Sequence, residues 1–150
     1  MITGISGHQD LSSYDLNWIK EQLQKVLSSL PITIGISSLA AGSDQLFASV
    51  LIKQEIPFKV IIPCMRYEET FTATRDLENY KLLLSGASQS SILDFSEPSE
   101  MAFFAAGKAV VESSNLLIAI WDGRKAKGLG GTGKRRSHRT GSRVLPGTWN

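Results

Sequence analysis

The order in which two hydrophobic periods alternate along this chain constrains its fold more than any other feature. Met1–Ser6 reads as a short apolar strand. From Ser12 to Ser29, Leu16, Ile19, Leu23, Val26 and Leu27, continued by Leu30, recur at intervals of three and four, which places them on one helical stripe. Ser12 or Ser13 is expected to cap that helix, and Pro31 to end it. Thr33–Ser38 reads as the second strand. Ser43 is expected to cap a helix reaching about Gln54, with Leu46, Phe47, Val50 and Leu51 inward. Phe58–Ile62, read as an apolar run stopped by Pro63, is expected to be covered on both faces, hence parallel and central. A polar helix over Tyr67–Ser85, a weaker strand over Ser91–Phe95, a helix over Ser99–Ser113 and the apolar strand Leu116–Trp121 complete the series. Alternation of this kind predicts an α/β fold. It is a Rossmann-like, doubly wound parallel sheet of about five strands, with helices on both faces because right-handed crossovers carry them there.

Length fits one core, since 150 residues with 42% apolar content are too few for two ordinary domains. No apolar run approaches the roughly 18 residues that span a bilayer, and no signal pattern opens the chain, so a cytoplasmic protein with no membrane partner is expected. Cys64 has no second cysteine to pair with, and His8 and His138 do not complete a spaced zinc ligand set. Cys64 therefore reads as a small apolar residue at a strand end, and no metal site is expected.

Charge divides the chain. Residues 1–122 hold 8 Lys/Arg against 14 Asp/Glu, whereas residues 123–150 hold 8 Lys/Arg and no acid. Residues 1–133 are expected to form the domain, and 134–150, which lack either period, a disordered basic tail. Such a tail makes nucleic acid a partner to weigh, through charge alone.

In an open parallel sheet, ligands bind outside the carboxyl ends of the strands, where glycines admit close approach and helix amides favour an anion. The candidate ligand-binding residues are therefore Gly4, Ser6, Gly7 and His8 after the first strand, and Ser38, Leu39, Ala40, Gly42, Ser43 and Asp44 after the second. Arg66 follows the third, and Trp121, Asp122, Gly123, Gly130, Gly131 and Thr132 follow the last. Asp44 also has a plainer account, since a carboxylate in a helix's first turn gains about 0.3–1 kcal/mol from the dipole.

Gly4-Ile5-Ser6-Gly7-His8, Ser38-Leu39-Ala40-Ala41-Gly42-Ser43-Asp44-Gln45-Leu46, and Leu117-Ile118-Ala119-Ile120-Trp121-Asp122-Gly123 with Gly130-Gly131-Thr132 resemble the SLOG superfamily. These are Rossmann-like domains related to DNA-processing protein A and to the lysine decarboxylase-like proteins called LOG. The resemblance covers residues 1–133, and its most specific part is the Ala-x-Gly-x-Asp of Ala40 to Asp44. It implies a nucleotide or ADP-ribose-like ligand, bound or sensed. The LOG branch implies an alternative, hydrolysis of the N-glycosidic bond of a nucleoside monophosphate.

Departures from the pattern restrict that alternative. The hydrolase branch has a catalytic Glu after its glycine loop, whereas Leu129-Gly130-Gly131-Thr132-Gly133 runs into Lys134-Arg135-Arg136. A glycosidic hydrolysis needs a carboxylate, leaving Asp44, Glu68, Glu69, Glu97 or Asp122 from other loops, with no catalytic residue assigned. Gly128 to Lys134 also nearly matches a P-loop, but Arg135 stands where the magnesium-binding Ser or Thr belongs. The superfamily's helix and strand after Gly-Gly-Thr have no counterpart in Lys134–Asn150, as a reading frame altered after Gly133 would produce. An edge left bare in this way invites pairing, and a homo-oligomer is expected.

Overall fold

The computed structural model describes residues 1–121 together with the backbone of Ser142–Val144. Five strands, β1 (Ile2–Gly7), β2 (Ile34–Ser37), β3 (Phe58–Ile62), β4 (Gln89–Ile92) and β5 (Leu116–Ile120), alternate with α1 (Leu16–Ser29), α2 (Ser43–Lys53), α3 (Thr74–Ser85) and α4 (Glu100–Ser113). A sixth strand, β6 (Ser142–Val144), lies beside β5. Every pairing is parallel, in the order β4-β3-β2-β1-β5-β6. The α/β Rossmann-like architecture is the one the alternation predicts.

The chain walks outward from β1 to β4 and then returns past β1 to lay down β5. Right-handed crossovers put the helices of the outward walk on one face and the helix of the return on the other. Two glycines show this. A Cβ on Gly35 would run into Leu51 of α2, whereas one on Gly4 would run into Val110 and Ser114 at the end of α4. The larger core lies under α2, where Ile19, Leu23, Leu27, Phe47, Val50, Leu51, Phe58 and Val60 are buried. Each such side chain contributes about 1.5–3 kcal/mol on burial. The smaller core, Ile36, Val110 and Leu117, lies under α4, whose buried Ala102, Ala106 and Gly107 let it sit close to the strands.

Several expectations are corrected. Asp15, not Ser12 or Ser13, caps α1, its Oδ1 accepting from Trp18 N at 3.1 Å, because Ser12 N is held by Asp10 Oδ1 at 2.9 Å in a local turn. Leu16, at that start, is 50% exposed. The cap position of α2 is Gly42, while the Ser43 hydroxyl turns away to donate to His8 O. β3 is parallel to both neighbours as expected, but it lies one strand in from the sheet's edge and its α4 face is only partly covered, with Lys59 exposed and Ile61 half-buried against Ile36, Val110 and Leu117. Tyr67–Ser85 is a 3-10 helix over Tyr67–Thr70 followed by α3. The fourth strand is Gln89–Ile92 rather than Ser91–Phe95, because after a last bond to β3 from Leu93 N to Ile62 O the chain turns and Phe95 N donates back to Leu93 O. Alongside the five expected strands, Ser142–Val144, in a stretch with no strand period, pairs with β5 as a short sixth. The three pairs to β5 that hold it are backbone bonds, which hydrophobic alternation does not record.

Candidate functional site

Reversal of strand order between β1 and β5 is the topological switch of the sheet, and the crevice outside their carboxyl ends is where such folds hold ligands. His8, just past β1, is tied to both neighbours of this crevice. Its N donates to Ile120 O of β5 at 3.1 Å, and its carbonyl accepts from Ser43 N at 3.0 Å and Ser43 Oγ at 2.8 Å. Gly7 is glycine for steric reasons, since a Cβ there would strike Ser43 Oγ and lie 2.8 Å from Ile120 O. The imidazole of His8 stacks on Tyr14, ring centroids 6.1 Å apart.

The β2–α2 loop is held from inside. Gly42 has φ +81°, and a Cβ on it would meet the carbonyls of Gln9 and His8, so this position requires glycine twice over. Leu39 adopts φ +56° with its side chain fully buried. Asp44 Oδ2 accepts from Ser37 Oγ and Ser38 N, both at 3.2 Å, and Leu39 N donates to Ser37 Oγ at 3.0 Å. Buried Gln45 extends the brace, its Nε2 reaching Leu39 O at 3.2 Å and Asp76 O at 3.0 Å.

These bonds bear on anion binding. The amides of Ser43, Gln45 and Leu46 at the start of α2 are bonded to His8 O, Ala40 O and Gly42 O. The dipole of α2 remains, but two of its first-turn donors, Ser43 N and Gln45 N, face inward, Leu46 N making the first intrahelical bond. Asp44 acts in this geometry as the carboxylate that organises its own loop.

The candidate residues separate into groups. Gly7, His8, Gly42 and Ser43 meet at the switch, with Trp121 following β5 and half-buried. Ser38, Leu39, Ala40 and Asp44 form the adjoining loop. Ser6 is buried at the end of β1, and Gly4, in mid-strand, faces α4 and serves packing. Arg66 stands apart at the end of β3, at φ +59°, between Glu69 and Glu97, each 3.6 Å away. Asp122, Gly123, Gly130, Gly131 and Thr132 lie outside the described residues.

Sequence reasoning passed over an aromatic group under the β3 loop. Tyr67 packs edge-on against Phe71 and Tyr80, centroids 5.3 and 5.4 Å away, with Phe103 at 6.3 Å. Burial pushes the Tyr67 hydroxyl well above the usual phenol range, and the Asp44 carboxylate adds to the shift, which puts Tyr67 within the field of the β2–α2 loop. Burial also holds Tyr80 up to about 12 and raises the Cys64 thiol. Cys64 is buried at the end of β3, in the small apolar role expected of it. Tyr67 had no sequence signal, and Gln45 stood in the Ser38–Leu46 motif without a role, because each acts through residues distant in the chain. Among the described residues, no group of three His, Cys, Asp or Glu could hold a metal ion. None of their helices is long and apolar enough to cross a membrane.

Superposition on solved structures bears out the fold. DNA processing protein A from Streptococcus pneumoniae superposes with a TM-score of 0.65 at 14% identity over 97% of this chain and 50% of that one. This chain has the Rossmann-like fold of DNA processing protein A. DNA processing protein A from Helicobacter pylori, whose structure describes single-stranded DNA binding, superposes with a TM-score of 0.56 at 15% identity over 81% of this chain and 54% of that one. The chain thus spans about half the length of either DNA processing protein A. No family model and no curated protein sequence matches it.

Proposed function

We propose that the chain binds a nucleotide or nucleotide-derived ligand, of the ADP-ribose class, in the crevice between the β1 and β5 ends. The observation that carries this is the reversal of strand order there, with the β1 and β2 loops clamped together at its mouth by Ser43 and His8. Gly7, His8, Ser38, Ala40, Gly42 and Asp44 belong to one side of the crevice and Trp121 to the other, and the sequence motif adds Asp122, Gly123, Gly130, Gly131 and Thr132 to the proposed contacts. With Ser43 N and Gln45 N engaged internally, the proposed contacts fall on His8, the Ala40–Ala41 segment and Trp121. The other half of the rim disfavours an extended polyanion, since Glu69 and Glu97 flank Arg66.

Single-stranded DNA is the second reading. It draws on the Helicobacter pylori structure and on the 8 Lys/Arg of residues 123–150, which would supply the phosphate contacts the acidic body lacks. A hydrolase of the LOG type is a third and would release free base from a nucleoside monophosphate.

A thermal-shift series with NAD, ADP-ribose and nucleoside mono-, di- and triphosphates tests the first reading, because a ligand at 100 times its Kd adds about 2.7 kcal/mol of stability. A shift that His8→Ala and Trp121→Ala both remove is expected. If nothing in the series shifts the transition while a labelled oligonucleotide binds with a steep salt dependence, the second reading replaces the first.

A further inference from the structure

We propose that the Tyr67 hydroxyl binds the second sugar of a ligand of the ADP-ribose class, so that the crevice selects a sugar-extended nucleoside diphosphate over the diphosphate alone. This rests on the nucleotide reading above and deepens it. β2 and β3 are neighbours, so the chain leaving β3 runs beside the β2–α2 loop at the carboxyl rim. Arg66, at φ +59°, turns the chain there. Its side chain is exposed, while that of Tyr67 packs inward against Phe71, Tyr80 and Phe103. Tyr67 is 6% exposed, yet its hydroxyl makes no hydrogen bond among the described residues. Nor is that oxygen enclosed, since Thr3 Oγ1 is the one enclosed side-chain polar atom of those residues without a partner. The hydroxyl is therefore the unpaired tip of a buried ring, and it reaches the surface. Asp44 is the carboxylate that acts on it, which places the tip toward the β2–α2 loop rather than toward Glu69 and Glu97.

The loop itself supplies what a ligand needs on the way to Tyr67. Among the described residues, the amides of Ala40, Ala41 and Gly42 make no hydrogen bond, and they lie at the positive end of α2, so they suit phosphate oxygens. Beyond them the Asp44 carboxylate disfavours a further anion. A neutral phenol beside that charge suits a sugar hydroxyl, with which it can both donate and accept. β3 lies two strands from β1, about 10 Å at the usual strand spacing. A nucleoside diphosphate whose base lies at His8 and Trp121 needs one more unit to cover that span, and a second ribose is such a unit.

Calorimetric titration of the 150-residue chain and of Tyr67→Phe with ADP and with ADP-ribose reads this out. Wild type is expected to bind ADP-ribose at least about tenfold more tightly than ADP, or 1.4 kcal/mol. Tyr67→Phe, which keeps the buried ring, is expected to lose that preference. A packing defect alone would weaken both ligands alike and leave the preference standing. A preference that survives in Tyr67→Phe, or equal affinity of wild type for the two ligands, overturns this inference and leaves the nucleotide reading in place. A wild-type chain that binds neither ligand overturns both.

Discussion

The carboxyl rim of this sheet has two unlike halves. On the β1–β2 half, glycines stand where a Cβ would collide, the Ser37 hydroxyl and Asp44 carboxylate bond each other and the amides of their own loop, and the Ser43 hydroxyl bonds His8 O of the next. On the β3–β4 half, exposed ions meet at 3.6 Å above a buried aromatic group. The first half fixes loop geometry through short-range constraints that tolerate little change. The second carries its charge in water, where it affects the surface field more than the fold. A pre-formed ligand crevice is expected from the first kind of construction.

Gly42→Val tests the contrast most severely. It brings a β-branched residue to φ +81° and sets its Cβ against the Gln9 and His8 carbonyls. Backbone strain of about 1–3 kcal/mol joins overpacking of similar size, and a loss of about 3 kcal/mol or more in a denaturant titration is expected. Asp44→Ala comes next, with a loss of about 1–3 kcal/mol for the stranded Ser38 N–H and Ser37 hydroxyl. Asp44→Asn should recover part of it, since an amide oxygen still accepts.

High pH probes the aromatic floor of the other half. Tyr67 and Tyr80 are neutral in the fold with raised pKa values, so the stability they contribute is complete below about pH 10, where a free phenol ionises, and is lost as the pH rises. For Tyr80 the loss runs to about pH 12. A thermal-melt series should stay flat with respect to these groups up to about pH 10 and fall beyond it. Tyr80→Phe should lessen that alkaline slope, while a variant with an unchanged slope would place the loss elsewhere.

How much of this was legible in the sequence follows from the range of the forces involved. Helix and strand periods are local, so Ile19, Leu23 and Leu27 announce the inward face of α1, and alternation announces the sheet. Ala40 to Asp44 pointed correctly at a loop of special geometry, because glycine and small residues are direct statements about backbone. That Asp44 holds Ser37 and Ser38, that Gln45 reaches Asp76, and that Gly4 faces α4 depend on how elements meet, and no spacing records that. Edge position is equally invisible. Lys59 was the one local sign that β3 has a face in water.

A stabilising substitution lies on the same strand as the first half, toward its amino end. Thr3, on β1, is fully buried, and its Oγ1 is the one buried side-chain polar atom without a hydrogen-bond partner among the described residues. Thr3→Val keeps the shape and removes a hydroxyl that left water for nothing, so a gain of about 1 kcal/mol is expected in the same titration. A loss instead would show that the hydroxyl is bonded in solution.

The smallest effect should come from the most conspicuous ion cluster. Arg66 faces Glu69 and Glu97, but all three side chains are more than half exposed, and screened pairs of this geometry are worth about 0–1 kcal/mol. Arg66 also holds φ +59°, which an L residue adopts at some cost. Arg66→Gly therefore trades the pairs for relief of the backbone, and the two changes should nearly cancel, leaving stability within about 0.5 kcal/mol of wild type. Arg66→Ala keeps the strain and loses the pairs, so it should be the less stable of the two. Reversal of that order would mean that Arg66 holds the β3 loop by its charge, and the two halves of the rim would then be built alike.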